Sequence, residues 1–224
     1  MLDICYAYEL KHDIVFNANK SVCLVIGIKY MYTPESEMYL GNQRLLRIKD
    51  FKYLGIHFNA HIFLDVNVTP IKCKFYAALN SLLCKCKLAA EPVKLQLVKS
   101  FCLPLLMYCI GAVELKAKAL HSLSICWNDA FRKIFCYRRS ESVKELMYYV
   151  KELDFMHMYD LARMEFLNAI CIKSPVIAVL YSCSESRFHM LRKLNIEYNC
   201  MTPNKSVRRS NVLCHFENVI LSRQ

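Results

Sequence analysis

Lysine is the residue type this sequence offers most readily to chemistry. Lys20 follows the turn-prone stretch Asn17-Ala18-Asn19, and Lys52 stands in Phe51-Lys52-Tyr53-Leu54-Gly55. Lys72, Lys74, Lys85 and Lys87 lie beside an apolar helical stripe, with Asn80 among them, and Arg132, Lys133, Arg138 and Arg139 form a further cluster. Ammonium and guanidinium groups contact phosphate oxygens, which positions a nucleic-acid backbone without reading its sequence. An amine beside developing phosphate charge also serves as a general acid. The competing reading of each lysine is a solvated turn, strand edge or helix face. For the Arg132 to Arg139 cluster the solvated face is favoured.

Other chemistries have less material. Asp3, Asp13, Asp50, Asp65, Asp129, Asp154 and Asp160 include no adjacent pair. Ser/His/Asp order, a glycine-rich phosphate loop and an H-E-x-x-H signature are all missing from the sequence, so hydrolase, kinase and metalloprotease readings have no support. Cys84-Lys85-Cys86 and Cys200 with Cys214-His215 invite a zinc reading. Cys84 and Cys86 stand about 200° apart on a helix and cannot face one ion, so no metal is expected.

The elements that must position these groups follow from hydrophobic period. Leu2, Cys5, Tyr6 and Leu10 suggest a helix over residues 2–11. Ile14 to Phe16 and Val22 to Ile28 read as two largely buried strands of a hairpin. Tyr39-Leu40, the Gly41-Asn42 turn and Arg44 to Ile48 read as a second hairpin, and Phe51 to Phe58 as one further strand with Gly55 marking a close backbone approach. After Asp65 the period becomes helical: Ile71, Phe75, Ala78, Leu82 and Cys86 share a face, with Thr69 as N-cap and Pro70 at the first helical position. Helices are predicted at 92–101, 105–113, 116–135, 142–150, 155–172 and 185–194, with Ser140 and Asp154 as caps and the remaining tail polar and basic. Trp127, Phe131 and Phe135 are read as core rather than as a base-stacking platform. The order, strands first and helices after, predicts an α+β fold.

A length of 224 residues and 55% hydrophobic content suffice for one sizeable core or two small domains. The excess of 30 Lys and Arg over 19 Asp and Glu, net +11, favours phosphate-rich partners. Thirteen scattered cysteines, an odd number, point to a reducing intracellular compartment, nuclear or cytoplasmic and not secreted. The most apolar segment, Phe101 to Val113, is too short for a bilayer and contains Pro104, so no membrane is expected.

Three stretches in order carry a resemblance. His12-Asp13-Ile14-Val15-Phe16-Asn17-Ala18-Asn19-Lys20-Ser21 resembles the F-N-x-x-K-S segment that follows the Y/F-A-D-D motif of non-LTR (LINE-type) retrotransposon reverse transcriptases. Leu40-Gly41-Asn42 and Phe51-Lys52-Tyr53-Leu54-Gly55-Ile56 are similar to the L-G-x-x-[LI] hairpin and the K-Y-L-G primer grip of that family. Ile71-Lys72-Cys73-Lys74-Phe75-Tyr76-Ala77-Ala78-Leu79-Asn80 is similar to its first thumb helix, and the helical region beyond is matched through Lys99-Ser100-Phe101 and Trp127 to Phe135. The resemblance covers residues 1–150 and fades afterwards.

It implies three regions: 1–62, the C-terminal part of a polymerase palm; 66–150, a helical thumb and extension; and 151–224, of no assigned role. It casts Lys20 as an auxiliary proton donor in an intact parent enzyme. Lys52, Tyr53, Gly55, Lys72, Lys74, Asn80, Lys85 and Lys87 become contacts to an RNA template and a DNA primer. Mg²⁺ is implied for the parent enzyme, held by acidic residues that this sequence lacks. The expectation is a truncated RNA-directed DNA polymerase without its upstream palm and fingers, inactive alone. The alternative is a non-catalytic, basic nucleic-acid-binding or helical interaction protein derived from such an element.

Overall fold

A computed structural model describes residues 1–27, 37–60, 62–173, 185–200 and 204–222. The chain is mixed helix and strand, and it divides into two compact units, Met1–Val68 and Thr69–Gln224.

The first unit opens with α1, Leu2–His12, which stops where Asp13 turns left-handed at φ 53° and returns its N–H to the Glu9 carbonyl. The strand expected at Ile14 to Phe16 does not form, and these residues are exposed and irregular. Asn17 is the reason. Its side-chain oxygen accepts the Lys20 N–H at 3.1 Å, and its carbonyl accepts the Ser21 hydroxyl at 2.9 Å and the Ser21 N–H at 3.1 Å. A side chain that folds its own backbone this way competes with strand pairing.

Only β1, Val22–Cys23, survives of the second expected strand, and it pairs in parallel with β4, Leu46–Arg47, not with residues 14–16. The proposed end of that strand, Ile28, lies outside the described residues. β2, Tyr39–Leu40, and β3, Gln43–Arg44, form an antiparallel hairpin around Gly41-Asn42. Gly41 has φ +58°, and a Cβ there would meet the Tyr6 ring at 2.5 Å, so glycine serves both the turn and the seat of α1. A small core of Ala18, Leu40 and Leu45 takes Leu2 and Cys5 against it.

The expected single strand over 51–58 is a hairpin. β5, Asp50–Tyr53, and β6, Ile56–Ala60, flank Leu54-Gly55, whose φ values of 46° and 86° are both positive, as a type I′ turn requires. Gly55 therefore closes a turn. β7, Leu64–Asn67, completes an antiparallel sheet in the order β5-β6-β7. Its register sorts the faces: Phe51, Phe58 and Val66 align on one, and Asp50, Lys52, His57, Asn59, Asp65 and Asn67 on the other.

The second unit contains α2, Thr69–Lys85; α3, Glu91–Phe101; α4, Leu103–Met107; and α5, Ala117–Phe135. It continues with α6, Lys144–Tyr149; α7, Phe155–Lys173; α8, Glu185–Glu197; and α9, Lys205–Leu221. Thr69 is already helical, which moves Pro70 to the second position. α5 is the centre: Leu120, Leu123, Cys126, Trp127, Ala130, Phe131 and Ile134 are all buried on its stripe, and α2, α3 and α7 pack on it. Trp127 donates its indole N–H to the Leu153 carbonyl at 3.2 Å.

The helix expected over 105–113 stops at Met107, and Cys109 turns left-handed at φ 55°. The chain then brings Gly111 against α7, where an added Cβ would lie 2.5 Å from the Ala162 carbonyl oxygen. Ser140 does not cap α6, whose N-cap position is Val143 without a side-chain bond. The tail after residue 194, read as polar and basic without a further helix, contains α9, which buries Arg208, Val212, Phe216 and Ile220 at four-residue spacing.

Asp154 does cap α7: its Oδ1 accepts the His157 N–H at 3.0 Å and lies 2.6 Å from His157 Nδ1. The His157 ring packs against Tyr198, His215 and Phe216, with centroids 5.9, 5.7 and 5.1 Å away, so α7, the end of α8 and α9 meet there. Burial works to raise the Asp154 carboxyl, but the His157 hydrogen bonds outweigh it and hold the group below the usual carboxylate range. A depressed carboxylate stabilises the fold at neutral pH and loses that contribution as pH falls through its folded-state value. Asp154→Ala is expected to lower unfolding free energy by about 1–2 kcal/mol at pH 7. In urea titrations the gap to wild type should narrow as pH drops below the ordinary aspartate value of 3.8; a gap that does not change with pH would contradict this account.

Candidate nucleic-acid interface

In the second unit, α2 and α5 are joined side by side through polar groups. Lys72 Nζ donates to Ser122 Oγ at 2.7 Å, Tyr76 Oη to Asp129 Oδ2 at 2.8 Å, and Lys133 Nζ to Asn80 Oδ1 at 2.7 Å. Residue numbers rise together on both helices, so the pair runs parallel. The spacing explains the seam: Lys72, Tyr76 and Asn80 are four apart and share one face of α2. Burial, followed by the Asp129 hydrogen bond, pushes the Tyr76 phenol far above its usual range, so it stays a donor. Arg132 closes the other side of Asp129 at 3.0 Å and donates to the Glu141 carbonyl at 3.1 Å. Lys133 also lies 5.6 Å from the centre of the Tyr76 ring.

Parallel pairing brings both C-terminal ends together. α2 ends at Lys85, with Lys87 just beyond, and α5 ends at Phe135, followed by Arg138 and Arg139. Lys85, Lys87, Arg138 and Arg139 are exposed. A groove of about 500 Å³ opens at the end of α5, lined by Asp129, Arg132, Lys133, Cys136, Tyr137 and Arg139. Its acid, Asp129, is already engaged by Tyr76 and Arg132, which leaves the rim positive.

The residues predicted to touch nucleic acid thus separate. Lys74, Lys85 and Lys87 are exposed on or just past α2. Lys72 and Asn80 are hydrogen-bonded into the seam with α5. In the first unit Lys52 lies on the polar face of the sheet, in a shallow hollow of about 270 Å³ shared with Asp50, His57, Asn59 and Asn67. Tyr53 is exposed on the opposite face, beside the Leu54-Gly55 turn. Lys20 is exposed at the turn that Asn17 builds.

Sequence reasoning missed Tyr76, Ser122 and Asp129 as partners, because bonds spanning 50 or more residues leave no local pattern. The one available signal was a polar stripe on each helix at matching spacing.

Neither a family model, nor a curated protein, nor a solved structure matches this chain. Among the described residues no helix is long and apolar enough to cross a membrane.

Tyr76→Phe removes one partner of Asp129 and leaves its carboxylate with Arg132 alone. The expected cost is about 1 kcal/mol of unfolding free energy. A double-mutant cycle on Asn80→Ala and Lys133→Ala should return a coupling of about 0.5 kcal/mol. Strict additivity of that pair would show that the third rung contributes nothing.

Proposed function

We propose that residues 1–150 act as the palm end and thumb of a LINE-type reverse transcriptase, and that their task is to hold an RNA template and DNA primer by the backbone. The observation that carries this reading is that exposed basic groups stand at or just past the C-terminal ends of the paired α2 and α5, with a groove at the α5 end whose acid is already engaged. The ordered F-N-x-x-K-S, K-Y-L-G and thumb-helix stretches support it. Lys85, Lys87, Arg138 and Arg139 provide sequence-independent phosphate contacts, while Lys72, Tyr76 and Asn80 fix the helix from which they project. In the first unit, the β5–β6 hairpin presents Lys52 to a phosphate and the exposed Tyr53 ring to a sugar.

Polymerase chemistry by two Mg²⁺ ions needs carboxylates that face one another. Asp50 and Asp65 share a sheet face but stand two strands apart, about 9–10 Å, with Asn59 between them. They do not fit a shared metal pair, and the role proposed for these residues is holding, not phosphoryl transfer.

Binding of a primer–template duplex by the full chain should weaken steeply with salt. Neutralising Lys85, Lys87, Arg138 or Arg139 to Gln should lower the slope of log affinity against log salt by about 0.7–0.9 for each phosphate no longer neutralised. Lys72→Met and Asn80→Ala should instead reduce stability and leave that slope unchanged. A wild-type chain that binds no duplex at low salt would refute the reading.

A further inference from the structure

The groove at the end of α5 holds two side chains that the fold itself does not use. Its acid and two of its cations are engaged with protein: Asp129 with Tyr76 and Arg132, Arg132 also with the Glu141 carbonyl at 3.1 Å, and Lys133 with Asn80. The nearby Glu141 carboxylate accepts the Arg138 N–H at 2.7 Å and does not line the groove. Tyr137 and Arg139 differ. Both line the groove and both are exposed, Tyr137 at 39%. Among the described residues the Arg139 guanidinium has no ion pair or hydrogen bond, and the Tyr137 side chain has neither a hydrogen bond nor a ring contact.

The backbone that carries them is fixed. Cys136 turns left-handed at φ 58°, and the Tyr137 N–H returns to the Arg132 carbonyl at 3.0 Å, the closure of a Schellman motif. Arg138 is then held by Glu141 in both directions, through the Arg138 N–H and through the Glu141 N–H, which donates to the Arg138 carbonyl at 3.1 Å. These bonds are made by backbone groups and by Glu141. They account for the path of the chain and not for a tyrosine ring and a guanidinium at the groove.

An exposed ring beside an unengaged guanidinium suits one class of ligand. The guanidinium fork meets a phosphate, and the face of the ring stacks on a nucleobase. A nucleotide carries both groups. Paired bases keep their faces inside the duplex, so only an unpaired base can reach the ring. The groove, about 500 Å³, is the size of a small-ligand pocket and takes in one nucleotide rather than a duplex.

We propose that this groove seats one unpaired nucleotide of the held nucleic acid, its base stacked on Tyr137 beside the phosphate that Arg139 contacts. The inference rests on the duplex-holding role and deepens it, because it names an unpaired base as part of the partner. Every base has a π-face, so the seat is indifferent to sequence.

The test is equilibrium binding of the full chain, by fluorescence anisotropy at one low salt concentration, to three labelled duplexes. One is blunt, one has a short single-stranded overhang, and one has the same overhang made of abasic nucleotides, which keep the phosphates and lose only the bases. The wild-type chain should bind the natural overhang about 10-fold more tightly than the abasic one, on the order of one base stack. Tyr137→Leu should abolish that ratio and Tyr137→Phe should keep it, while neither changes the blunt-duplex affinity, the salt slope or the melting midpoint. Arg139→Gln should instead lower the salt slope on all three probes. A wild-type chain that binds the blunt duplex but treats the two overhangs alike, or a Tyr137→Leu chain that still tells them apart, would overturn this inference and leave the duplex-holding role standing. Failure to bind any of the three probes would overturn both.

Discussion

Burial of one face of α5 is the constraint on which the second unit depends. Seven side chains from Leu120 to Ile134 go out of water on that helix, and α2, α3 and α7 pack around it because no single neighbour covers so broad an apolar stripe. Burying the stripe fixes which way α5 is rotated. The polar residues at its margin, Ser122, Asp129 and Lys133, are then presented to α2. Hydrophobic burial supplies the driving force, and the three hydrogen bonds of the seam select the register.

That register decides which basic residues remain available. Lysines that look equivalent along α2 become different once α5 is in place: Lys72 is bound to Ser122, while Lys85 is exposed and projects beyond the pair. Positive charge at the groove is therefore a product of packing. Asp129 would cancel much of it if it were not held between Tyr76 and Arg132. The same logic applies at α9, where Lys205 and Arg209 have carboxylates and, among the described residues, Arg208 has none.

The long helices are legible in the sequence because apolar period and end signals agree in them. α3, α5 and α7 begin and end within a residue or two of expectation, the first with Pro92 near its start and the last with Asp154 as its cap. Strands were harder. Residues 51–53 and 56–58 each alternate, but the apolar positions pass from odd, Phe51 and Tyr53, to even, Ile56 and Phe58, and that change of parity across Leu54-Gly55 marks the turn that a single-strand reading overlooks. Ile14 to Phe16 have strand-like residue types, yet Asn17 folds the backbone next to them. α9 escaped notice because its inward stripe begins with Arg208 and is interrupted by polar neighbours. Of the interface, basic composition was visible, whereas the division of lysines into structural and exposed ones rests on partners about 50 residues away.

Trp127 is the only tryptophan in the chain, fully buried on α5 with its indole N–H held by the Leu153 carbonyl. Intrinsic fluorescence excited in the red edge of the protein band is therefore a signal of the second unit alone, and Met1–Val68 is dark to it. Far-ultraviolet circular dichroism sees both units. Were the units to melt separately, the two optical signals would diverge along one denaturation curve, so the chain carries a built-in reporter of how far its halves fold as one.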